Sequence, residues 1–375
     1  MSGESSVECS SDDEWNIMET NTLVWKEDMV NDYRVIGELG KGSFGIVKKC
    51  QREVGPEPFR IFALKFLSKK KLRKCVDTVL DDTGFPCRIT GIDKLNNEIN
   101  LMRRLFHRNV SILFEVIDDS DEDSVVLVTE YMAGGAVMNY VPSRGVYQYS
   151  AFSAAILKGQ GKVFGDTVLE ASDLEFPRPM TNEECASLFC DLLEGVSFLH
   201  SKGICHRDLK PDNLLVHESG SLRISDFGCA VQLDLQSNPR GLVSNTVGTL
   251  AFWPPEALLD PTADDDVMLG PDPKEYSAFD ADAWAVGMVL HCFLYGKLVF
   301  PLVGRSHVDI IQSILAFNSS DIDSATSECD YNQRDEAANY VWKNMLIQDR
   351  DVRWNITNAM HSEWICKELQ RRKSS

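Results

Sequence analysis

Basic residues are scarce in this sequence, and it lacks both long apolar runs and closely spaced cysteine pairs. Lysine and arginine number 38 against 57 aspartates and glutamates, so the net charge is −19. This charge argues against a general binder of nucleic acid or of anionic membranes. No apolar run reaches the roughly 18 residues that a membrane span needs. The longest run, residues 283–296, contains His291 and predicts a buried helix that ends at Gly296.

The cysteines also limit the class of protein. There are 11 of them, an odd number, and none forms a C-x-x-C pair. This usage indicates reduced thiols inside a cell rather than disulfides or a zinc site. The first residues are polar and acidic, which predicts that there is no signal peptide. We therefore expect a cytoplasmic protein, with access to the nucleus left open.

What is present fits an ordinary globular protein with two parts. The 375 residues are 43% hydrophobic and 25% charged, enough for one bilobal enzyme. Residues 1–28 are rich in serine and acids and predict a disordered tail. Short alternating runs from Tyr33 predict strands, with one helix over residues 94–106, and long helices follow. The expected fold class is α+β, with a small β-rich part and a larger helical part.

Two stretches fit neither part and are interpreted as surface insertions. They are residues 143–178 and the acidic, proline-containing residues 260–275. Between them, Thr181 and Glu184 have capping-box spacing, which predicts the start of a helix that ends near Gly203.

A glycine-rich loop is the first motif that indicates chemistry. Gly40, Gly42 and Gly45 have G-x-G-x-x-G spacing in "GELGKGSFGIV". Glycine lets backbone N–H groups come close to phosphate oxygens, which a side chain would prevent. In dinucleotide-binding folds these glycines lie at the start of a helix. Here the β-like Ile46 and Val47 follow them, so the loop is expected to join two strands. An ordinary glycine-rich hairpin is the alternative for an isolated match.

A lysine and a glutamate in apolar surroundings are the second feature. Lys65 in "FALKF" is either a lysine that reaches solvent along its stem or the partner of an acid. Glu98 lies on the apolar face of the predicted helix, and an inward-pointing acid needs a partner. We predict an ion pair between these two side chains.

The run "CHRDLKPDNLLV", residues 205–216, places many charged groups between apolar ones. Burying an unpaired charge is costly, so these groups need partners. Asp208, Asn213 and, further on, Asp226 in "ISDFG" offer the oxygen ligands that hard divalent cations prefer. The pattern predicts a site for Mg²⁺ and nucleotide phosphates, and a salt-bridged helix end is the alternative.

Taken in order, these motifs resemble the signature set of the protein kinases over roughly residues 33–366. The resemblance implies a β-rich N-lobe over 33–133, a helical C-lobe over 134–366, and ATP and Mg²⁺ as cofactors. It makes Asp208 the proton acceptor, Lys210 the group that steadies the γ-phosphate, and Asn213 and Asp226 the metal ligands. Lys65, held by Glu98, contacts the α- and β-phosphates. The remaining ATP-binding positions that it implies are Leu39, Gly40, Gly42, Gly45, Val47, Ala63, Thr129, Glu130, Met132 and Leu215.

Further residues resemble the serine/threonine branch of that family. Thr249 in "VGTLAF" is expected to contact the catalytic Asp208 and Lys210. Glu256 in "PPE" and Arg353 in "DRDVRW" are expected to form a structural ion pair, although Pro254 stands where most kinases have alanine.

The activation segment offers a possible control point. Thr246 is a candidate regulatory phosphosite, because its phosphate could pair with Arg207. A plain loop threonine is the alternative.

A narrower resemblance is to the calcium/calmodulin-dependent protein kinase kinases. It is carried by "FALKFLSKKKL", "GFPCR", "FEVIDDSDED" and "LVSNTVGTLAF". That subfamily phosphorylates activation-loop threonines of other kinases, so the implied partners are protein substrates rather than nucleic acid or membranes. Residues 367–375 are expected to be a basic, solvated tail whose only large apolar residue is Leu369, so calmodulin binding is not expected. A catalytically inactive scaffold is the alternative from another class, and the presence of every catalytic motif disfavours it.

Overall fold

The structure is a computed structural model, and it describes residues 17–54, 60–80, 86–157, 180–258, 275–318 and 335–374. Most of the predicted insertions, 158–178 and 260–274, therefore lies outside the described residues. The chain forms two compact units. The first unit takes the chain up to Asp77 together with Ile89–Phe106 and Ile112–Tyr131, and the second takes Thr78–Arg88, His107–Ser111 and Met132 onward.

The first strands in chain order are β1 Met18–Thr20, β2 Trp25–Lys26, β3 Met29–Val30, β4 Tyr33–Lys41, β5 Gly45–Arg52, β6 Ile61–Ser68, β7 Val76–Leu80, β8 Pro86–Thr90, β9 Leu113–Asp118 and β10 Ser124–Glu130. The first unit is built on a sheet of eight of them in the order β1-β9-β10-β6-β5-β4-β3-β2. Its neighbouring strands run antiparallel, except that β1 and β9 are parallel. Strands β7 and β8 form a separate small sheet, and their residues 78–80 and 86–88 are assigned to the second unit.

The strands form where the sequence has β-branched and aromatic residues in short runs. Their inward-facing residues, which include Tyr33, Phe62 and Val128, pack into one apolar cluster. Tyr33 and Phe62 are each about 1% exposed, and their rings meet edge to face with centroids 5.6 Å apart. The prediction of a β-rich part with one long helix is confirmed.

Residues 17–28 are not a disordered tail, so for them that prediction is wrong. They contain β1 and β2, and Met18 to Thr20 pair with Glu115 to Ile117 of β9. The hydroxyl of Thr20 donates to Glu115, and the backbone N–H of Leu23 donates to Asp119. These contacts join residues distant in sequence, which is why the polar composition of the segment did not indicate them.

The described residues of the first unit contain the helices α1 Lys69–Lys74 and α2 Gly91–Met102. Helix α2 begins three residues before the predicted Lys94 because Thr90 and Asp93 form a capping box. Glu98 of α2 is 7% exposed, as its place on the apolar face indicates.

The second unit is mainly helical, as predicted. Its strands are short: β11 Gly135–Ala136, β12 Met138–Val141, β13 Val146–Tyr149, β14 Ile204–Cys205, β15 Leu214–Val216, β16 Leu222–Ile224, β17 Val231–Gln232, β18 Leu242–Val243 and β19 Tyr276–Ser277. Its helices are α3 Ala151–Leu157, α4 Asn182–Ser201, α5 Ala278–Tyr295, α6 His307–Leu315, α7 Glu336–Met345, α8 Ile356–Met360 and α9 Glu363–Ser374.

Helices α4 and α5 form the interior of this unit. The capping box of Thr181 and Glu184 starts α4, and Gly296, with φ 65°, ends α5 in the left-handed conformation that glycine favours. Both sequence predictions are confirmed. Helix α5 is buried along nearly its whole length, and Trp284 on it is fully buried. Among the residues that the structure covers, no helix combines the length and the apolar character needed to cross a membrane.

The described part of the insertion predicted over 143–178 is not a loose surface segment. β12 and β13 pair as a hairpin, and Tyr147 and Tyr149 on β13 are 6% and 4% exposed. Ala154 and Ile156 on α3 are also buried. Gly145, with φ 66°, makes the turn of the hairpin, so the glycine in this stretch marks a tight turn between packed strands.

The predicted basic tail is likewise structured, as part of α9. Arg371 and Lys373 are exposed, as predicted, but for Arg372 the prediction of a solvated side chain is wrong. Arg372 lies on α9, and its Nη1 donates to Oδ1 of the buried Asp191 on α4 at 2.8 Å. Its other guanidinium nitrogens donate to Glu368 and to the backbone oxygen of Ser187. A basic run at the end of a chain gives no sign of such a partner, because the partner lies far away in sequence.

Candidate active site

The glycine loop joins two strands of the first unit, as the spacing predicts. Residues Gly40 and Val47 face each other across β4 and β5. A Cβ at Gly45 would lie 1.7 Å from the backbone oxygen of Phe66, so no larger residue fits there without moving the strand. Gly40 and Gly42, by contrast, have no atom within 4 Å of such a Cβ. The space that a side chain would fill at Gly40 and Gly42 is therefore open, whereas Gly45 is required by packing. The backbone N–H of Gly42 itself donates to the backbone oxygen of Gly45 at 2.9 Å.

The predicted pair of Lys65 and Glu98 is present. Lys65 lies on β6 opposite Val47 of β5 and Leu127 of β10. Its Nζ is 3.6 Å from Oε1 of Glu98 on α2, and the two side chains are 35% and 10% exposed. The more buried carboxylate thus has a cation beside it, which explains why an acid occupies the apolar face of α2.

The predicted adenine-binding residues fall in both units. In the first, Thr129 on β10 donates its hydroxyl to the backbone oxygen of Ala63 at 3.3 Å. The backbone N–H of Glu130 donates to the backbone oxygen of Ile112 at 3.0 Å. Met132 and Leu215 belong to the second unit. Leu39, also predicted here, is 45% exposed.

A network around Asp208 is the central feature of the second unit. Its Oδ1 accepts the hydroxyl of Thr249 at 2.7 Å, and its Oδ2 accepts Nζ of Lys210 at 2.8 Å. Lys210 also donates to Oγ1 of Thr249 at 2.8 Å. The amide nitrogen of Asn213 donates to the backbone oxygen and to Oδ2 of Asp208. The four predicted residues therefore form one hydrogen-bonded cluster around a single carboxylate.

A buried carboxylate on α5 holds the chain that leads into this cluster. Asp282, 1% exposed, accepts the backbone N–H groups of His206 and Arg207 at 2.9 and 2.8 Å. Its Oδ2 also lies 2.9 Å from Nε2 of His200. Burial opposes the charged form of Asp282, but these hydrogen bonds outweigh burial and hold its pKa below the usual value. Arg207 has φ 61°, a left-handed conformation that a non-glycine residue adopts only when its surroundings enforce it.

Hydrogen bonds between two chain segments bring the two predicted metal ligands, Asn213 and Asp226, close together. The backbone N–H and the hydroxyl of Ser225 both donate to the carbonyl of Asn213 at 2.9 Å, and Asp226 follows Ser225 directly. Because Nδ2 of Asn213 is bonded to Asp208, its Oδ1 points away from that carboxylate. Asp226, with φ 65°, is exposed. An amide oxygen and an exposed carboxylate are hard oxygen donors and fit a divalent cation such as Mg²⁺.

The predicted structural ion pair is also present. Arg353 bonds Glu256 through two parallel contacts, Nη1 to Oε1 at 2.6 Å and Nη2 to Oε2 at 2.9 Å. The guanidinium further donates to the backbone oxygens of Ile347 and Gln348 and lies over the ring of Trp284. Pro254 in place of alanine does not disturb the pair.

Thr246 and Arg207 line the same small cavity, but their side chains have different hydrogen-bond partners. The hydroxyl of Thr246 donates to the backbone oxygen of Ala257 at 3.3 Å. Nη1 of Arg207 donates instead to Oδ1 of Asn245 at 2.8 Å.

Three contacting residues are absent from the predicted site. They are Asp282, which braces the catalytic loop; Asn245, which contacts Arg207; and Tyr147, whose hydroxyl donates to Asp212 at 2.7 Å. Burial and the hydrogen bond to Asp212 raise the pKa of Tyr147. Of the three, only Asp282 had a signal in the sequence, as an acid directly before the apolar run of residues 283–296.

Comparison with known proteins is consistent with this geometry. Residues 33–365 match the protein kinase domain, so the chain belongs to the protein kinase family. The relatives that it matches place it among the serine/threonine protein kinases. It is 29% identical to serine/threonine-protein kinase TOS3 of Saccharomyces cerevisiae over 355 residues, which covers 91% of this chain and 54% of that protein.

Two further relatives have similar identity. SNF1-activating kinase 1 of Saccharomyces cerevisiae is 30% identical over 311 residues, 78% of this chain and 24% of that protein. The calcium/calmodulin-dependent protein kinase kinase of Caenorhabditis elegans is 28% identical over 279 residues, 72% of this chain and 42% of that protein. The chain thus spans about half the length of the first of these relatives and less of the other two.

Proposed function

We propose that this chain is an active serine/threonine kinase that transfers the γ-phosphate of ATP to threonines in the activation loops of other protein kinases. The observation that carries the proposal is the cluster of Asp208, Lys210 and Thr249, in which both oxygens of one carboxylate are held within 2.8 Å of a donor. A carboxylate fixed in this way can receive a proton from a substrate hydroxyl.

The chemistry follows from the position of these groups. The hydroxyl oxygen of the substrate attacks the γ-phosphorus, the bond from that phosphorus to the oxygen of ADP breaks, and the hydroxyl proton passes to Asp208. Lys210, bonded to the same carboxylate, supplies positive charge for the transferred phosphoryl group. Thr249 fixes the carboxylate from the other side, so that neither oxygen can rotate freely.

Each unit, taken by itself, offers groups that suit part of the nucleotide. In the first, the open space beside Gly40 and Gly42 suits phosphate oxygens, and Lys65, paired with Glu98, suits the α- and β-phosphates. In the second, Asn213 and Asp226 would hold Mg²⁺, which neutralises phosphate charge when bound.

The alternative of an inactive scaffold is disfavoured by the same cluster. Binding to a partner protein does not require a carboxylate, an ammonium and a hydroxyl arranged within hydrogen-bonding distance of one another. Asp208, Lys210 and Thr249 show that arrangement here.

The substrate class rests on the relatives. By their names, one activates the kinase SNF1 and another is a kinase of calmodulin-dependent kinases. We extend that substrate class to this chain and propose that it acts in the cytoplasm. The expected lack of calmodulin binding stays a prediction.

A panel assay tests the proposal. The purified full chain is incubated with ATP, Mg²⁺ and several protein kinases, each made catalytically inactive, alongside versions whose activation-loop threonine is replaced by alanine. We expect phosphate on the intact loops, none on the alanine versions, and none with an Asp208→Asn chain. Phosphate on residues outside the loops would contradict the substrate class, and equal labelling by the Asp208→Asn chain would contradict the catalytic assignment.

A further inference from the structure

The guanidinium of Arg207 already has protein partners in this structure. Its Nε donates to the backbone oxygen of Cys229 at 2.9 Å, and its Nη1 donates to Oδ1 of Asn245 at 2.8 Å. The backbone of the same arginine is fixed by Asp282. The sequence predicted that a phosphate on Thr246 could pair with this guanidinium. In the structure, the neutral amide oxygen of Asn245 contacts it instead.

Asn245 is fixed at its backbone as well as at its side chain. The hydroxyl of Tyr276 donates to the backbone oxygen of Asn245 at 3.1 Å. Strand β18, which ends at Val243 just before it, pairs with β19, where Tyr276 lies. The amide is therefore presented to Arg207 from a segment that is itself tied to the rest of the second unit.

The residues that follow Asn245 lie directly against the catalytic loop. A Cβ at Gly248, whose φ is 93°, would be 2.3 Å from the backbone oxygen of Arg207, so glycine is needed for this approach. The next residue, Thr249, is the one that bonds Asp208. Asn245 and Thr249 lie four positions apart, so one short stretch of chain makes both the contact to Arg207 and the contact to the catalytic carboxylate.

The cavity that Thr246 shares with Arg207 is too small for a phosphate in this arrangement. This cavity, lined by Arg207, Thr246 and Trp253 among others, has a volume of about 20 Å³. That volume holds about one water molecule. The hydroxyl of Thr246 is also already bonded to Ala257.

We propose that Asn245 is a positioning residue that docks the activation segment on Arg207, so that Thr249 and Asp208 are aligned without any phosphate on the segment. This proposal rests on the proposed kinase function. Under this proposal Thr246 is a plain loop threonine and not a regulatory phosphosite. Asn245 acts through Arg207 and Thr249 and touches no substrate.

The test compares three variants of the full chain with the wild type, all treated with a phosphatase that is then removed. Asn245→Ala removes the amide, Asn245→Asp keeps an oxygen that can pair with the arginine, and Ser244→Ala is the matched control at an exposed neighbouring position. A hydrogen bond to a charged group is worth a factor of about 10 to 100 in an equilibrium. We expect Asn245→Ala to lower kcat by about that factor with an unchanged KM for ATP. Asn245→Asp should retain most of kcat, and Ser244→Ala all of it.

Amide hydrogen exchange over residues 242–250 supplies a readout that does not depend on activity. Asn245→Ala should speed exchange in this segment, whereas Asn245→Asp and Ser244→Ala should not. A chain without kinase activity would refute the proposed function, and the exchange result would still decide whether Asn245 docks the segment. The docking proposal is overturned if Asn245→Ala matches the wild type in both kcat and exchange. It is equally overturned if phosphatase treatment alone abolishes the activity of the wild type.

Discussion

Replacing Asp208 by asparagine should remove the proton acceptor while leaving the catalytic loop in place. Oδ2 faces two donors, Nζ of Lys210 at 2.8 Å and Nδ2 of Asn213 at 3.1 Å, so the oxygen of the new amide takes this side. The amide nitrogen then faces Oγ1 of Thr249, which donates to Oδ1 at 2.7 Å in the wild type and can accept instead. Each polar atom keeps a partner, and we expect the fold and its stability to persist.

The expected loss of rate is set by the proton transfer. An amide oxygen is far less basic than a carboxylate, and a positioned general base contributes on the order of 10²–10⁴-fold. This corresponds to about 3–5 kcal/mol in the activation barrier. Nucleotide affinity should change little, because neither Lys65 nor the glycine loop is altered by this substitution.

The assay measures initial rates of phosphate transfer with saturating ATP, and a melting curve checks the fold. We expect a kcat at least about 100-fold below the wild type, with a similar melting temperature. A well-folded Asp208→Asn chain with near-normal kcat would refute the role of Asp208 as base. A large fall in melting temperature would instead refute the rearranged hydrogen bonds described above.

Three further predictions concern other groups. Lys65→Met should reduce kcat far more than ATP affinity, because the glycine loop still binds phosphate; equal losses in rate and in a direct ATP-binding titration would contradict its role. Glu256→Gln removes the carboxylate that pairs with Arg353, whose side chain is 2% exposed. The loss should lower the free energy of unfolding by about 3–5 kcal/mol. A melting curve unchanged from the wild type would contradict this expectation. Burial lowers the pKa of His291 to about 4 in the folded chain, whereas a histidine of the unfolded chain has a pKa near 6.5. Between these two pH values the unfolded chain binds more protons than the folded chain. The free energy of unfolding should therefore fall by up to ~3 kcal/mol as pH drops from about 6.5 to 4. Denaturant titrations should show a flatter pH dependence for His291→Asn, and an identical slope would show that His291 is not responsible.

Local patterns were sufficient to predict much of the architecture and most of the motif residues. The strands around Gly40 and Lys65 follow from β-branched runs, and the ends of α4 and α5 follow from Thr181 and Gly296. Each of these signals is read from residues within a few positions of one another, because strand alternation and helix capping are local properties of the chain. The order of the motifs carrying Asp208 and Asp226 then indicates the chemistry.

The tertiary structure alone decided which distant groups meet. Asn245 rather than Thr246 contacts Arg207, Arg372 pairs with Asp191, and β1 joins the sheet beside β9. The sequence separation between these partners is large, and a hydrogen bond between them forms only after the segments have packed. A serine-rich segment, a basic run or a loop asparagine has the same local composition whether or not such a partner exists. Burial and long-range hydrogen bonding therefore determine these contacts, and they determine how the catalytic carboxylate is held.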